Sequence, residues 1–507
     1  MSLEDSTNTN KNVNASKDTL TGLEDEILQK KPKGPIKLIY TIVAISLFFA
    51  AFNLTIFYKT FLLVKFLCSP DIFSCIANPS NSGLANTIYL IMIVTSTIAF
   101  MIALVVGGAI SDDIRSRFGN RVPMIFLGSI IAGLGYIVLP ILVVSDNVLY
   151  VFLAGNFVYI FINIGLGFAL ASDYALISEL FVKEERGWVG LGFAGVGLGG
   201  TLIGYGLSSI SEVNTYRGWV TVGLLTGIII IVLGLLTFIL TPKYNPPFPA
   251  DGTMKDILAT PRYLFEMGYG NSANRDFLFM FIIGILWGGG GFIIDTEFAP
   301  FLNQLLLDKT PNLTIDPKNL LVLIGLSGAI LALPVGIVIA KLGKVRSGMI
   351  GSVMMGFFTF MVAQNFMWSD HPIYAISVVL ALGTIFITAV NVSLPADLVP
   401  RGKEGQFMGL FIIAANLLSP VVGLLAVGVS AVNTKNPENG FATVFLLTTI
   451  IYFVAVIILA FMHYEEQLEG EYQMYYRRYL LFKGYVSDKT RFAALKVSSS
   501  LRFKRSK

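Results

Sequence analysis

Twelve apolar segments of about 20 residues recur along the chain, each long enough to cross the ~30 Å hydrocarbon core of a bilayer as a helix. They run over residues 37–63, 85–110, 123–144, 148–172, 187–210, 218–241, 277–301, 320–341, 347–368, 373–396, 406–430 and 441–462. In lipid every backbone N–H and C=O must be satisfied inside the segment, so segments of this length and composition can span only as helices. The rest of the composition agrees: 54% of the 507 residues are hydrophobic and 13% are charged, against roughly 25% charged in an ordinary soluble domain. Two cysteines, Cys68 and Cys75, and two histidines, His371 and His463, leave too few ligands for a Cys- or His-built metal centre. No nucleotide-binding motif is visible, so no cofactor is expected, and neither is nucleic acid, because the basic residues are dispersed in short loops.

Those basic residues set an expected orientation. With both termini cytoplasmic, inside segments carry 30 Lys and Arg and outside segments carry six: Lys59, Lys65, Arg217, Lys309, Lys318 and Lys435. The positive-inside rule then predicts a multi-pass protein of the cell membrane with cytoplasmic ends. Residues 1–35 read as a polar disordered tail, not a signal peptide. Residues 464–507 read as a basic tail, suited to an anionic leaflet.

The polar connection 242–275, opening "TPKYNPPFP", divides the spans into six and six, giving expected bundles over 36–241 and 276–463. The two halves are a repeat. "SELFVKEERG" from Ser178 and "ADLVPRGKEG" from Ala396 both follow the fourth span of their half, at an offset of 218 that matches Glu179 to Asp397, Lys183 to Arg401 and Gly187 to Gly405. "GAISDDIRSRFGNR" from Gly108 likewise corresponds to "GIVIAKLGKVR" from Gly336. Two parallel six-span repeats resemble the architecture of the major facilitator transporters, an all-α membrane fold of twelve helices in two pseudo-symmetric bundles, and the resemblance implies a substrate site between the halves near mid-membrane.

Three segments sharpen the resemblance. Asp112 and Gly119, seven positions apart, have the spacing found in the glycoside-pentoside-hexuronide symporters and their sucrose:proton symporter relatives. "FIIDTEFAPF", with Asp295, Thr296 and Glu297, resembles the Phe-Asp-Thr-Asp-Trp segment of the sucrose symporters, and "YALISEL" from Tyr174 resembles the end of their fourth span. The resemblance implies alternating-access transport of a small solute, a sugar or glycoside, with protons as the coupling ion; no convergent His, Ser or Cys constellation is visible, so no enzyme activity is expected. The chain also departs from the pattern. Asn163 stands where the plant symporters have a membrane aspartate, Tyr174 stands where they have an arginine, and the second span lacks the acids of the sodium-coupled members. A uniporter or exporter of another organic solute is therefore the alternative, and a non-transporting sensor or scaffold is the alternative of another class.

A carboxylate within hydrocarbon costs a few kcal/mol and is functional by default. Asp173 lies about 9 Å from the cytoplasmic end of the fourth span at 1.5 Å per residue. Asp295 and Glu297 lie near the outer end of the seventh. These three are the candidates for proton coupling. A polyhydroxylated ligand needs amides, hydroxyls and an aromatic face, and Asn53, Tyr58, Asn156, Asn163, Trp287 and Asn391 supply them in the expected spans, with Asn391 the repeat counterpart of Asp173. Interhelical hydrogen bonds are the other use for such asparagines. Conformational control falls to Gly108, Asp112, Arg115, Arg117, Gly119 and Arg121 in the second loop, and to Glu179, Arg186, Asp397 and Arg401 at the fourth and tenth span ends. There Asp112 is expected to face a helix N-terminus or pair with an arginine, and Glu179 with Arg186, and Asp397 with Arg401 or Lys403, to form cytoplasmic helix-end networks. "WGGGGF" at Trp287 suggests a bendable or interrupted seventh span, or a site of close packing. Cys68 and Cys75 can form a disulfide in an outer loop, Asn312 is a glycosylation sequon, and a monomer is expected.

Overall fold

The structure is a computed structural model that describes residues 35–67, 82–142, 148–181, 183–210, 216–245, 272–308, 317–364, 370–399, 404–417 and 437–462. Within them lie twelve helices: α1 (Pro35–Leu67), α2 (Ser82–Asp113), α3 (Val122–Leu142), α4 (Val148–Leu180), α5 (Lys183–Ile210), α6 (Tyr216–Leu240), α7 (Ser272–Asp308), α8 (Pro317–Leu342), α9 (Lys344–Ala363), α10 (Asp370–Leu398), α11 (Glu404–Leu417) and α12 (Pro437–Ala460). Each expected span overlaps one of them, although 406–430 does so only as far as residue 417, its remainder lying outside the described residues. Most helices run a turn or more past the apolar stretch, because polar residues at a span end continue the helix beyond the hydrocarbon. Ten carry a stretch long and apolar enough to cross a membrane. Large apolar side chains such as Ile102, Phe157, Leu333 and Phe461 face outward, as lipid-facing positions do. Cys68, Cys75, Asn312, Arg401 and both expected tails lie outside the described residues.

Within the first six helices, α3 packs on α4 and α6, α1 on α5 and α6, and α2 on α4. The last six repeat much of this, with α9 on α10 and α12, α7 on α11 and α12, and α8 on α10. Lipid tails are as apolar as leucine, so helices associate here through close packing at small residues. Gly128 is one such point. A Cβ there would lie 2.9 Å from the backbone N of Ala169 on α4. The seventh helix runs unbroken through Gly288–Gly291, which corrects the expectation of an interruption. Gly288 instead lets the backbone of α11 approach at Ala415.

The halves meet where α2 packs on α11, α5 on α8 and α10, and α4 on α11. Under the repeat α2 corresponds to α8 and α5 to α11, so the α2–α11 and α5–α8 contacts are images of one another. At one end, which carries the α2–α3 turn, α2 and α11 touch backbone to backbone. A Cβ on Gly108 would run into the Gly405 carbonyl, and one on Gly409 would lie 2.6 Å from the Leu104 oxygen. The turn itself is built on Gly119, whose φ of 94° is matched by φ 84° at Gly343 in the corresponding connection between α8 and α9.

Close packing at Gly128 predicts that Gly128→Val destabilises the protein by about 1–3 kcal/mol through overpacking. Gly199→Ala meets nothing within 4 Å and is expected to be neutral or to stabilise, since alanine is the better helix former by about 1 kcal/mol. Melting temperatures of the two variants in detergent check the contrast; equal values would contradict the packing argument.

Candidate functional site

Both ends of the α2–α3 turn carry ionisable groups that reach across the halves. Asp112, in the last turn of α2, accepts hydrogen bonds from the backbone N–H groups of Gly405 (3.0 Å) and Gln406 (3.1 Å), the first turn of α11. The positive end of the α11 dipole makes this a favourable seat for an anion. Arg121, immediately before α3, is 1% exposed and ion-pairs with the same Asp112. Its Nε donates to Glu179 Oε1 at 2.9 Å and its Nη1 to the Ser111 hydroxyl at 2.7 Å. Its Nη2 lies 3.8 Å from Glu404 on α11. Burial alone would lower the Arg121 pKa, but the surrounding carboxylates of Asp112, Glu179 and Glu404 raise it above the ordinary guanidinium range. It therefore stays charged at any physiological pH.

A second cluster links the halves on the other side. Arg186, in the first turn of α5, donates to Asp397 Oδ1 at 2.9 Å and to the Ala396 carbonyl at 2.7 Å, both at the end of α10. It also donates to the Ser178 carbonyl at 2.8 Å and the Phe181 carbonyl at 3.1 Å, at the end of α4. One guanidinium thus closes the C-terminal ends of two helices that the repeat makes equivalent, where orphan carbonyls favour a cation. Lys344, at the start of α9, pairs with Asp397 Oδ2 and donates to the Lys183 carbonyl at 3.0 Å.

Arg401 and Lys403, the expected partners of Asp397, lie outside the described residues. Among the described residues Asp397 has partners on α5 and α9, and Glu179 meets Arg121 and the Asn120 amide (3.2 Å); Arg186, expected in a network with Glu179, bonds Asp397 because the start of α5 lies beside the end of α10. Lys344, Glu404, Ser111 and Asn120 were not singled out from the sequence. Two had a signal there. Lys344 follows Gly343 as Asn120 follows Gly119, and each reaches the acid that ends the fourth helix of its half. Arg115 and Arg117 are exposed on the turn, the latter 4.7 Å from the Phe118 ring, with the Lys243 ammonium 5.2 Å from the same ring. The connection after α6 sits against this turn. The Asn120 N–H donates to the Tyr244 carbonyl at 3.3 Å and the Asn245 amide to the Ser116 carbonyl at 2.9 Å.

Deeper in the spans, Asp173 is fully buried on α4, and neither of its oxygens has a hydrogen-bond partner. Beside it Tyr174 joins an aromatic cluster with Phe49 of α1 and Phe193 of α5, at ring separations of 6.0 and 5.7 Å. At the equivalent position of α10, Asn391 has a buried Oδ1 without a partner. Other candidate amides are engaged locally: Asn53 donates to the Phe49 carbonyl (3.0 Å), Asn163 to the Tyr159 carbonyl (2.8 Å), and Asn156 accepts from the Thr95 hydroxyl of α2 (2.9 Å). The Trp287 ring is buried, with its N–H donated to Ser352 of α9 at 2.8 Å. The side chains of Tyr58, Asp295 and Glu297 lie outside the described residues, although their positions are helical.

No protein-family model matches the sequence, and no curated protein matches it significantly. Solved structures do. The human organic anion transporter MFSD10 (TETRAN) aligns with a TM-score of 0.57 and 17% identity over 83% of this chain and 98% of that one. The chain has the major facilitator fold. The proton:xylose symporter XylE bound to 6-bromo-6-deoxy-D-glucose aligns with a TM-score of 0.58 and 14% identity, over 83% and 94% of the two chains. A POT family transporter in complex with a thioalcohol conjugated peptide aligns with 0.57 and 16%, over 85% and 99%. In a major facilitator fold the two clusters stand where the bundles must part if that end opens.

Removing Arg121 strands three buried carboxylates, so Arg121→Ala is expected to lose about 3–5 kcal/mol, the cost of breaking a buried ion pair. Arg117→Ala removes only an exposed cation–π contact, for about 1 kcal/mol at most. Thermal unfolding in detergent, read as a large drop in melting temperature for the first and a small one for the second, checks the assignment.

Proposed function

We propose that the protein is a secondary transporter of the cell membrane, with both termini cytoplasmic, that moves a sugar or glycoside with protons by rocking its bundles, 36–241 and 276–463, about a central site. The observation that carries the reading is the pair of buried ion networks joining the halves at one end. Each includes directional contacts between the bundles that would be held in one state and lost in the other, which is what a gate between two facing states requires. On the expected orientation this end is cytoplasmic, and the structure corresponds to the state sealed on that side.

Sugar as cargo rests on the three segments that resemble the sucrose and glycoside symporters. The similar structures leave the cargo class wide, since by their names they handle organic anions, xylose and peptide. Proton coupling rests on Asp173. A carboxyl group buried without a partner is costly as an anion and tolerable as an acid, so its protonation state can follow access from one side or the other. Asp295 and Glu297 are the further candidates. Asn53, Tyr58, Asn156, Asn163, Trp287 and Asn391 remain the proposed ligand-facing set. For those whose polar atoms are engaged with their own helix, substrate must compete with the bond already made. We take the working unit to be a monomer.

Uptake of labelled mono- and disaccharides into proteoliposomes tests the reading. Wild type is expected to accumulate a sugar under an inward proton gradient, whereas Asp173→Asn equilibrates it without accumulation, a loss of tenfold or more in the steady-state ratio. Accumulation undiminished in Asp173→Asn removes that residue from coupling. Absence of sugar uptake in wild type sends the cargo to another solute class.

A further inference from the structure

The α2–α3 turn brings together two cations that the gate clusters do not use. The Arg117 guanidinium lies 4.7 Å and the Lys243 ammonium 5.2 Å from the centre of one ring, that of Phe118. Both side chains are exposed. Among the described residues neither has an acidic partner, and Asp113, the exposed acid of this turn, interacts with Arg115. The backbone keeps the two cations close. Lys243 precedes the two residues, Tyr244 and Asn245, whose hydrogen bonds to Asn120 and Ser116 tie the connection after α6 to the turn. A ring face attracts each cation weakly at an exposed site and does nothing for their mutual repulsion.

The same ring begins an apolar path into the spans. Phe118 packs on Phe238 of α6 with ring centres 5.1 Å apart, and Phe238 packs on Phe126 of α3 at 5.2 Å. All three rings are only partly buried. Beside them Leu127 of α3 and Ile239 of α6 face outward, 47% and 60% exposed. The two cations thus stand at the end of an apolar seam between α3 and α6. An occupant that satisfies both needs an anion at one end and hydrocarbon at the other. A soluble anion would leave the seam uncovered, and an apolar chain alone would leave the charges unmatched. A phospholipid with a net negative headgroup meets both requirements. On the expected orientation this end faces the cytoplasmic leaflet, the one that carries anionic lipid.

We propose that the end of the α3–α6 seam binds one anionic phospholipid, with its phosphate held by Arg117 and Lys243 and its acyl chains laid along Phe126, Phe238 and the exposed apolar side chains beside them. The site needs only that the chain lies in a bilayer, and it is independent of cargo and of coupling.

The full chain in detergent, titrated with phosphatidylglycerol or with phosphatidylcholine of the same acyl chains and read by native mass spectrometry, tests the site. Wild type is expected to retain one phosphatidylglycerol at concentrations where phosphatidylcholine is not held. Arg117→Gln and Lys243→Gln should each weaken that retention about fivefold, the worth of one basic residue near an anionic surface, and the double variant should weaken it further. Lys341→Gln and Arg346→Gln remove exposed cations at the same end of the other half and should leave retention unchanged. Glycerol 3-phosphate, a headgroup anion without chains, should not displace the bound lipid. Equal retention of the two lipids overturns the proposal, as does undiminished binding in the double variant or an equal loss in the Lys341 and Arg346 variants. Displacement by glycerol 3-phosphate at the concentration of the lipid overturns it too, because it assigns the cations to a soluble anion.

Discussion

Everything at the end that carries the α2–α3 turn depends on Arg121 being buried as a cation among acids from three helices. The guanidinium cannot shed its charge, so it must be surrounded, and surrounding it ties the end of α2 and the end of α4 to the start of α3. Asp112 then has one face on Arg121 and the other on the first-turn N–H groups of α11, and the lock within one half becomes a contact with the other. Arg186 does the converse, filling the carbonyl ends of α4 and α10 together. Helix termini, whose backbone groups lack partners of their own, are what the two halves offer each other. The contacts are few and directional, and they sit where small residues such as Gly108 and Gly405 let the backbones meet. A separation of the halves can break them without disturbing either bundle.

The fold was legible because its causes are local in sequence. Apolar length fixes a helix in lipid, and the 218-residue offset fixes which helices are equivalent. The site was legible in part. Asp112 was expected at a helix N-terminus or on an arginine, and it has both. Asp397 was expected to pair with Arg401 or Lys403, which lie outside the described residues, and it also meets Arg186 and Lys344, which its neighbourhood in the chain did not suggest. Sequence distance says little once a twofold-related bundle intervenes. The repeat did hold the information, since Arg186 precedes Gly187 as Glu404 precedes Gly405. Reading it needed the further knowledge that the first turn of α5 meets the end of α10.

Substrate chemistry was the least legible, for a physical reason. A polar side chain in a span has two uses, binding cargo or satisfying the bundle, and composition cannot tell them apart. Asn53 and Asn163 each bond the carbonyl four residues back on their own helix, and Asn156 bonds Thr95 across to α2. Trp287, an expected aromatic face, is tied to Ser352 within the second half. Asp173 and Asn391 differ from these. They occupy equivalent positions of α4 and α10, and both keep buried oxygens that no protein group satisfies. An unsatisfied buried group in a native fold needs a reason, and under the proposed transport cycle a proton or a ligand would supply one.

The central claim is that these halves part at the end sealed by the two clusters. A Cβ at Gly187 would lie 3.8 Å from Ile339 Cγ2 of α8, so cysteines at 187 and 339 come within reach of a disulfide across the halves. Transport by the Gly187→Cys, Ile339→Cys pair, measured in proteoliposomes before oxidation, after oxidation and after reduction, is the most direct test. The account predicts activity that disappears when the bond forms and returns when it is reduced. Full transport with the bond intact would contradict it.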